Sequence, residues 1–600
     1  MKHFIQYIFL LVIASSSISC AKEKDKWDGS QNDENKPNID NDYESPVIFK
    51  TYTYEAENYN SNGKKAFLSD EYEVWLSVDG GEEQTLQVLM SNPNFITNAG
   101  KNLMYKLNTK DGHYNAAVQR SFSFVSVSFN ESKGSSLKFR VKSKSGYTNP
   151  KLAPKSYNIL PNGSGSEFSF ECNKANRYIA VNFDCEANHP SGSTDEEKWI
   201  KDMLCIFIDP IEEGIKPPKE GDDGVLVVTP EVTPAQLEAA TTKVIYFKPG
   251  HYSLFDTKWN KGSVINSQQG LLTVPPNKMV YISGGAFIDG AIHSNANGVK
   301  VQGRGIVSGR KYGWKQAKYD GISTGNLIRA GANAKFEGIF IMEAPNHGIV
   351  AGDNADFDNV KMIGWHCNND GFRPTFGSTI HNCFIRACDD ALYNYDLTVE
   401  NCVFWPMWNG SIMTFGWRQG ISIAGSEMTN CDIIFPEWCA LGNNCGLIMS
   451  QCVSKFKLKE GKGYTIFDDI RIEGEIPGFV NMKPCSDYRN AKPGDESDKG
   501  TDLTLTNIEK LGSIGEVKLR NITIDSQQKG ALNIIEGLKG ELAVLGHPEA
   551  IWFVHDIFFE NVVIGGIKLT DSNKENYFRI EGNHVTPYSK GTTRNIVFEK

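Results

Sequence analysis

"FDNVKMIGWHCNNDGFRPTFGSTIHNCFI" (Phe357–Ile385) contains one four-residue phrase twice. FDNV at Phe357 and IHNC at Ile380 both read apolar, any residue, Asn, apolar. A further apolar residue stands three positions after each Asn, at Met362 and Ile385. Two inward-facing positions flank a bend and alternation then resumes, which reads as strand, corner, strand. Asn suits the corner because it tolerates left-handed backbone angles and can bond its own backbone. The phrase or a variant returns as FEGI at Phe336, VENC at Val399, MTNC at Met428, MSQC at Met449, LRNI at Leu519 and FENV at Phe559.

The corner residues at 338, 359, 382, 401, 430 and 451 are separated by 21, 23, 19, 29 and 21 positions. Repeats of that length mean a solenoid, and repeats built only of strands mean a parallel β-helix. The apolar positions beside each corner, including Cys383, Cys402, Cys431 and Cys452, then stack as internal ladders. The region before it differs. FSFVSVSF, LKFRVKSK, RYIAVNF and LCIFIDP are short strands divided by turn-rich stretches, the pattern of an antiparallel β-sandwich. The expected class is all-β. The expected layout is a β-sandwich over 46–215, a linker over 216–226 (IEEGIKPPKEGDDG marks its surroundings) and a solenoid over 227–600.

Six hundred residues exceed one ordinary core. The net charge is −10 and no basic patch stands out, which argues against a nucleic-acid partner. The start, MKHFIQYIFLLVIASSSISCAKEKDK, opens with Lys2, followed by a short apolar run and then small residues up to Cys20. That is the pattern of a signal peptide, too short to span a membrane. SSISC resembles a bacterial lipoprotein signal, with Ser17 where Leu is usual, so residues 1–20 are expected to be removed up to a lipidated Cys20. Residues 21–45 are polar and read as a flexible tether. Such a body is expected outside the cytoplasm, on an envelope surface, touching membrane only through its lipid. Of 13 cysteines none forms a CxxC pair, so no structural zinc is expected. No metal, no cofactor and a monomer are the expectations.

Asp370 precedes the adjacent pair Asp389 and Asp390 by nineteen residues, about one coil. Neighbouring coils lie about 4.8 Å apart, so all three carboxylates fall on one patch. Asp370 stands eleven residues past Asn359 and Asp389 seven past Asn382, so a small loop must absorb the difference. Three crowded carboxylates suit glycosidic hydrolysis: one acid protonates the leaving oxygen and a carboxylate activates water. Crowding holds one of them protonated. Trp365, Tyr393, Tyr395, Trp405, Trp408 and Trp417 are candidates to stack on sugar rings. His366, Asn368, Asn369, Arg373, Asn409 and Arg418 are candidates to bond hydroxyls. His347 and Trp438 read as structural.

Taken together, YFKPGHYSL, KMVYISGGAFIDGAI, VQGRGIVSG, NNDGFRP, CDDALYNY and FWPMWNGSIMTFGW resemble glycoside hydrolase family 49, the dextranases and isopullulanases. The resemblance runs from about Tyr246 to Trp417 and fades after about Cys452. It implies an N-terminal β-sandwich followed by a right-handed parallel β-helix, and inverting hydrolysis of an α-glucan. It also implies that Asp389 is the general acid, with Asp370 and Asp390 as candidates for the base. Polygalacturonases share the solenoid and a related Asp pattern, but this chain lacks their later SHG and RIK segments. Three other readings stay open: hydrolysis of acidic polysaccharide, calcium-assisted lyase chemistry with Arg373, Arg386 or Arg418 near the acids, and a non-catalytic glycan-binding lipoprotein.

Overall fold

The computed structural model describes residues 47–55, 67–91, 120–188, 198–212, 216–260, 264–312, 326–365, 368–415, 425–438, 445–450, 463–482, 514–536, 554–581, 583–584 and 593–600. Cys20, the signal and tether segments, the Gln451 corner, Cys452, His366, Trp417 and Arg418 lie outside the described residues.

Strands from Phe49–Thr51 to Asp202–Pro210 form the N-terminal sheets. One has six strands and one has four. Alternation is plain in Leu137–Ser143, whose residues bury every second side chain. Most pairings are antiparallel, as the strand pattern implied, but Asp202–Pro210 runs parallel to Ser121–Phe129.

From Val225–Val227 to Thr593–Phe598 strands stack coil upon coil in one long sheet, parallel but for the pairing of Val554–Ile564 with Ile567–Lys568. The corner residues supply the bend. Asn359, Asn382, Asn401, Asn430, Asn521 and Asn561 all have φ between 49° and 55°, and Gly338 has φ 77°. Only a few residue types accept that region cheaply, which is why Asn recurs there. Side chains at the corner also bond along the solenoid: Asn401 Nδ2 donates to Asn382 Oδ1 at 2.6 Å, and Asn382 Nδ2 to Asp358 Oδ1 at 2.9 Å. Inside the corner Cys383, Cys402 and Cys431 are buried free thiols on successive coils. Phe336, Phe357 and Phe372 stack inside the coils at 4.7 and 4.9 Å.

The remaining face of the solenoid is two six-stranded sheets. One ends at the strand Phe372–Arg373 and the other begins at Leu392–Tyr393. The three carboxylates lie at this break.

The sandwich is not a separate bead. One buried cluster joins its Phe122, Phe124, Tyr178 and Phe207 to Phe287, Phe340, Phe384 and Trp405 of the solenoid. Phe124 and Phe340 stack at 5.2 Å, and Phe122 meets Trp405 edge-on at 5.5 Å. Each such side chain contributes roughly 1.5–3 kcal/mol by burial. Buried charges across the seam are paired. Arg120 grips Glu437 with both terminal nitrogens at 2.9 and 2.5 Å, and Lys361 Nζ meets Asp209 Oδ1 at 2.9 Å with neither side chain exposed.

Candidate active site

Backbone hydrogen bonds fix the order of the coils at the break. Gly348 N–H donates to Asp370 O at 2.9 Å, and Asp389 N–H to Asn369 O at 3.4 Å. Gly371 N–H donates to Asp390 O at 2.9 Å, and Ala391 N–H to Ser411 O at 2.8 Å. Four successive coils therefore contribute residues around 347, 370, 389–390 and 411. The expected stacking of Asp370 on the pair is present, and so is the small loop. Ile363 is in register with Arg386, yet Asn369 already receives the amide of Asp389, so six positions on one coil match three on the next. Asn369 ties this loop. Its Oδ1 accepts the Trp365 N–H at 2.9 Å and its Nδ2 donates to Asn346 O at 2.6 Å.

The three carboxylates have different surroundings. Asp370 is 4 % exposed. Its Oδ2 receives the Tyr393 hydroxyl and lies 2.8 Å from His347 Nδ1. Burial pushes its pKa up. The His347 contact, then the Tyr393 hydroxyl and the Arg373 guanidinium outweigh that, and the carboxyl ends below its ordinary value. Tyr393 is held protonated chiefly by burial and then by the Asp370 charge, which suits a donor.

Asp389 is only half-buried. Its Oδ2 accepts the Asn368 N–H at 2.7 Å and its Oδ1 the Asp390 N–H at 3.0 Å. Asn368 presents that amide from a left-handed conformation, φ 63°. Gly410 makes room beneath: with φ 151°, a Cβ there would stand 2.2 Å from both the carbonyl carbon and oxygen of Asp389. Trp438 Nε1 donates to the Gly410 carbonyl at 2.9 Å and holds that approach. Asp390 is 3 % exposed and its Oδ1 lies 3.4 Å from Ser411 N and 3.5 Å from Ser411 Oγ.

Several residues expected at the surface are inside. Trp365 is fully buried against the sandwich, its Nε1 donating to Ser91 Oγ at 2.8 Å. Trp405 and Trp408 belong to the same buried seam, at 0 % and 2 % exposure. Tyr395 is a coil-interior residue stacked on Tyr393 at 5.7 Å. None of these four can lie flat on a sugar. Asn369 is fully buried and serves its own loop. Arg386, considered as a uronate-binding cation, is fully buried and 3.3 Å from Glu437 at the seam. Tyr393 is buried too, and its polar end serves Asp370 rather than open solvent. Asn368, Arg373 and Asn409 remain half-buried at the site.

His347 was read as structural, yet it touches Asp370. A signal existed: it precedes Asp370 by 23 residues, the same interval that separates the corners Asn359 and Asn382. Gly410 and Ser411 were missed because what they do depends on backbone approach, which no side-chain pattern marks.

No family model matches the chain. It is 30% identical to the dextranase of Arthrobacter globiformis over 226 residues, 33% of each chain. It is 31% identical to the dextranase of Arthrobacter sp. strain CB-8 over 209 residues, 30% of this chain and 31% of that one. The chain thus matches about a third of the length of these two relatives. A longer match runs to the isopullulanase of Aspergillus niger: 22% identity over 431 residues, 68% of this chain and 70% of that one. Dex49A from Penicillium minioluteum has the same fold, with TM-score 0.68 at 16% identity over 92% of this chain and 99% of that one. The chain is similar to two dextranases over about a third of its length and to an isopullulanase over about two thirds, and it shares the fold of Dex49A, the likeness its motifs indicated.

Proposed function

We propose that this protein is an inverting glycoside hydrolase acting on an α-linked glucan of the dextran or pullulan kind. The observation that carries the proposal is the asymmetry of three carboxylates on adjacent coils. Asp370 is buried, donated to and charged, while Asp389 is the one open to a ligand. Asp389 is assigned the general acid. Its proton passes to the glycosidic oxygen as the bond from the anomeric carbon to that oxygen breaks, and the bond's electrons stay with the leaving oxygen. Water adds to the anomeric carbon from the opposite face and loses a proton to a carboxylate. Asp370 is assigned that base, with Asp390, braced by Ser411, beside it. One face loses a proton and the other gains one, so the site returns to its starting state by exchange with solvent.

Acidic polysaccharide is the weaker fit. Arg386 is sealed into the seam, and Arg373 is the described cation left at the carboxylates. Reducing ends should appear from dextran or pullulan and not from polygalacturonate, and Asp389→Asn should abolish their release while glucan binding persists. Release from polygalacturonate alone contradicts the substrate class. Release from none contradicts the enzyme reading and favours a glycan-binding protein.

We propose in addition that Cys20 carries lipid and that the body lies outside the cytoplasm. The support is the apolar run, the Cys and the polar stretch after it. Cys20→Ala should move the protein out of the membrane fraction, and unchanged membrane association contradicts the anchor.

A further inference from the structure

Both neighbours of the Asp370 carboxylate hold the same oxygen. His347 Nδ1 lies 2.8 Å from Oδ2, and the Tyr393 hydroxyl donates to Oδ2 as well. On the far side of the imidazole, Arg373 Nη1 lies 3.0 Å from His347 Nε2. The same guanidinium sits over the Tyr393 ring, 4.8 Å from its centre. Arginine has no acceptor and does not lose its proton, so its contact with Nε2 needs a lone pair there. The 2.8 Å contact is off the line of a good hydrogen bond, but two acceptors that close would repel, so the proton belongs on Nδ1. One arrangement satisfies both contacts: a neutral imidazole protonated on Nδ1, capped on Nε2 by Arg373.

Resting on the assignment of Asp370 as base, we propose that His347 is a positioning residue whose tautomer is set by Arg373. It and Tyr393 hold Oδ2, so Oδ1 is the oxygen presented to water. Protonation of His347 then switches the site off on the acid side. A second proton would set an N–H against the guanidinium, so Arg373 must leave and the carboxylate loses the geometry that aims Oδ1. Asp370 and Arg373 face the imidazole from the next coil, and Tyr393 faces Asp370 from the one after. On the two preceding coils Arg329 and His293 are in register with each other and with Val350, and His293 Nε2 donates to Asn326 O at 2.9 Å.

The test is the pH dependence of kcat/KM for wild type, His347→Asn and His347→Ala on the glucan that wild type hydrolyses. An Asn amide can replace the Nδ1 donor but does not titrate. His347→Asn should keep at least about a tenth of the wild-type kcat with KM within about twofold, and its acid limb should move down by about a pH unit or more. His347→Ala should lose roughly 30-fold or more in kcat, within the range typical of proton-transfer geometry. Equal losses in the two variants with an unmoved acid limb overturn the proposal. A readout without turnover covers a variant that does not fold. Imidazole 15N shifts of full-length wild type at neutral pH should show His347, assigned by its absence in His347→Asn, as the Nδ1–H tautomer. The Nε2–H tautomer, or a charged ring, overturns the proposal. Activity retained in Asp370→Asn would instead strike the assigned base while leaving the tautomer result standing.

Discussion

Coils between residues 340 and 411 show two faces with opposite rules. Toward the sandwich, opposite charges pair and aromatics pack: Arg386 and Arg120 share Glu437, Trp365 bonds Ser91, and Phe207 meets Phe384 edge-on at 5.0 Å. At the break in the other face, the same coils hold three carboxylates close together with one histidine, one tyrosine and one arginine. The first face is what stability selects, since a buried ion without a partner costs several kcal/mol. The second concentrates like charge, which stability alone would remove. The contrast separates residues that hold the solenoid to the sandwich from residues that face a ligand, although both sets are equally polar and aromatic in the sequence.

Substitutions should break the two faces in different ways. The largest effect is expected at the carboxylates. Asp389→Asn and Asp370→Asn should each lower kcat by about 10³-fold or more with the thermal midpoint nearly unchanged. Asp389→Asn should be milder on substrates with good leaving groups, and Asp370→Asn should not. Glu437→Gln should do the reverse. It strands Arg120 and Arg386 in the seam and should cost roughly 3–5 kcal/mol in denaturant unfolding, with the folded fraction still active. A midpoint that does not move would mean the seam is not a stabilising contact.

Gly410→Ala lies between the two. Its Cβ would meet the Asp389 backbone, and Gly410 has a backbone angle that side chains rarely adopt. Strain of about 1–3 kcal/mol should appear in both activity and stability. The smallest effect belongs to Glu473, which accepts the Lys155 amide of the sandwich at 2.5 Å and is 7 % exposed. Burial, the largest influence, raises its carboxyl from 4.5 to about 7. The folded state then binds the proton more tightly than the unfolded state. Its contribution to stability is full below the unfolded value and declines as pH rises from about 4.5 to 7. Glu473→Gln should remove a pH dependence on the order of 2 kcal/mol over that window. Unfolding curves at pH 5 and 8 that differ equally in wild type and variant would contradict it.

The corners were legible because they are local and repeated. The Asn that returns at coil intervals, one residue before an apolar position, takes a left-handed bend at 359, 382, 401 and 430. The stacking of Asp370 on Asp389 and Asp390 was legible for the same reason, since one coil length brings them together. The seam was not legible. Trp365 and Ser91 are 274 residues apart, and Arg120 and Glu437 are 317 apart. A Trp beside the acids looks the same in sequence whether it awaits a sugar or a β-sandwich. Trp365, Trp405 and Trp408 were therefore placed on the wrong face, while Asn369 was misread because its partners lie within its own loop. His347 shows the opposite error, a functional contact passed over although it obeys the coil interval.

The most direct test of the account is the anomer released first. Fresh hydrolysate of dextran or pullulan, followed by 1H NMR before mutarotation, should show the β signal rising ahead of the α signal. That outcome requires water to be activated opposite the leaving group, as Asp370 and Asp389 are assigned here. An α signal that rises first means retention through a covalent intermediate, and contradicts the roles given to both carboxylates.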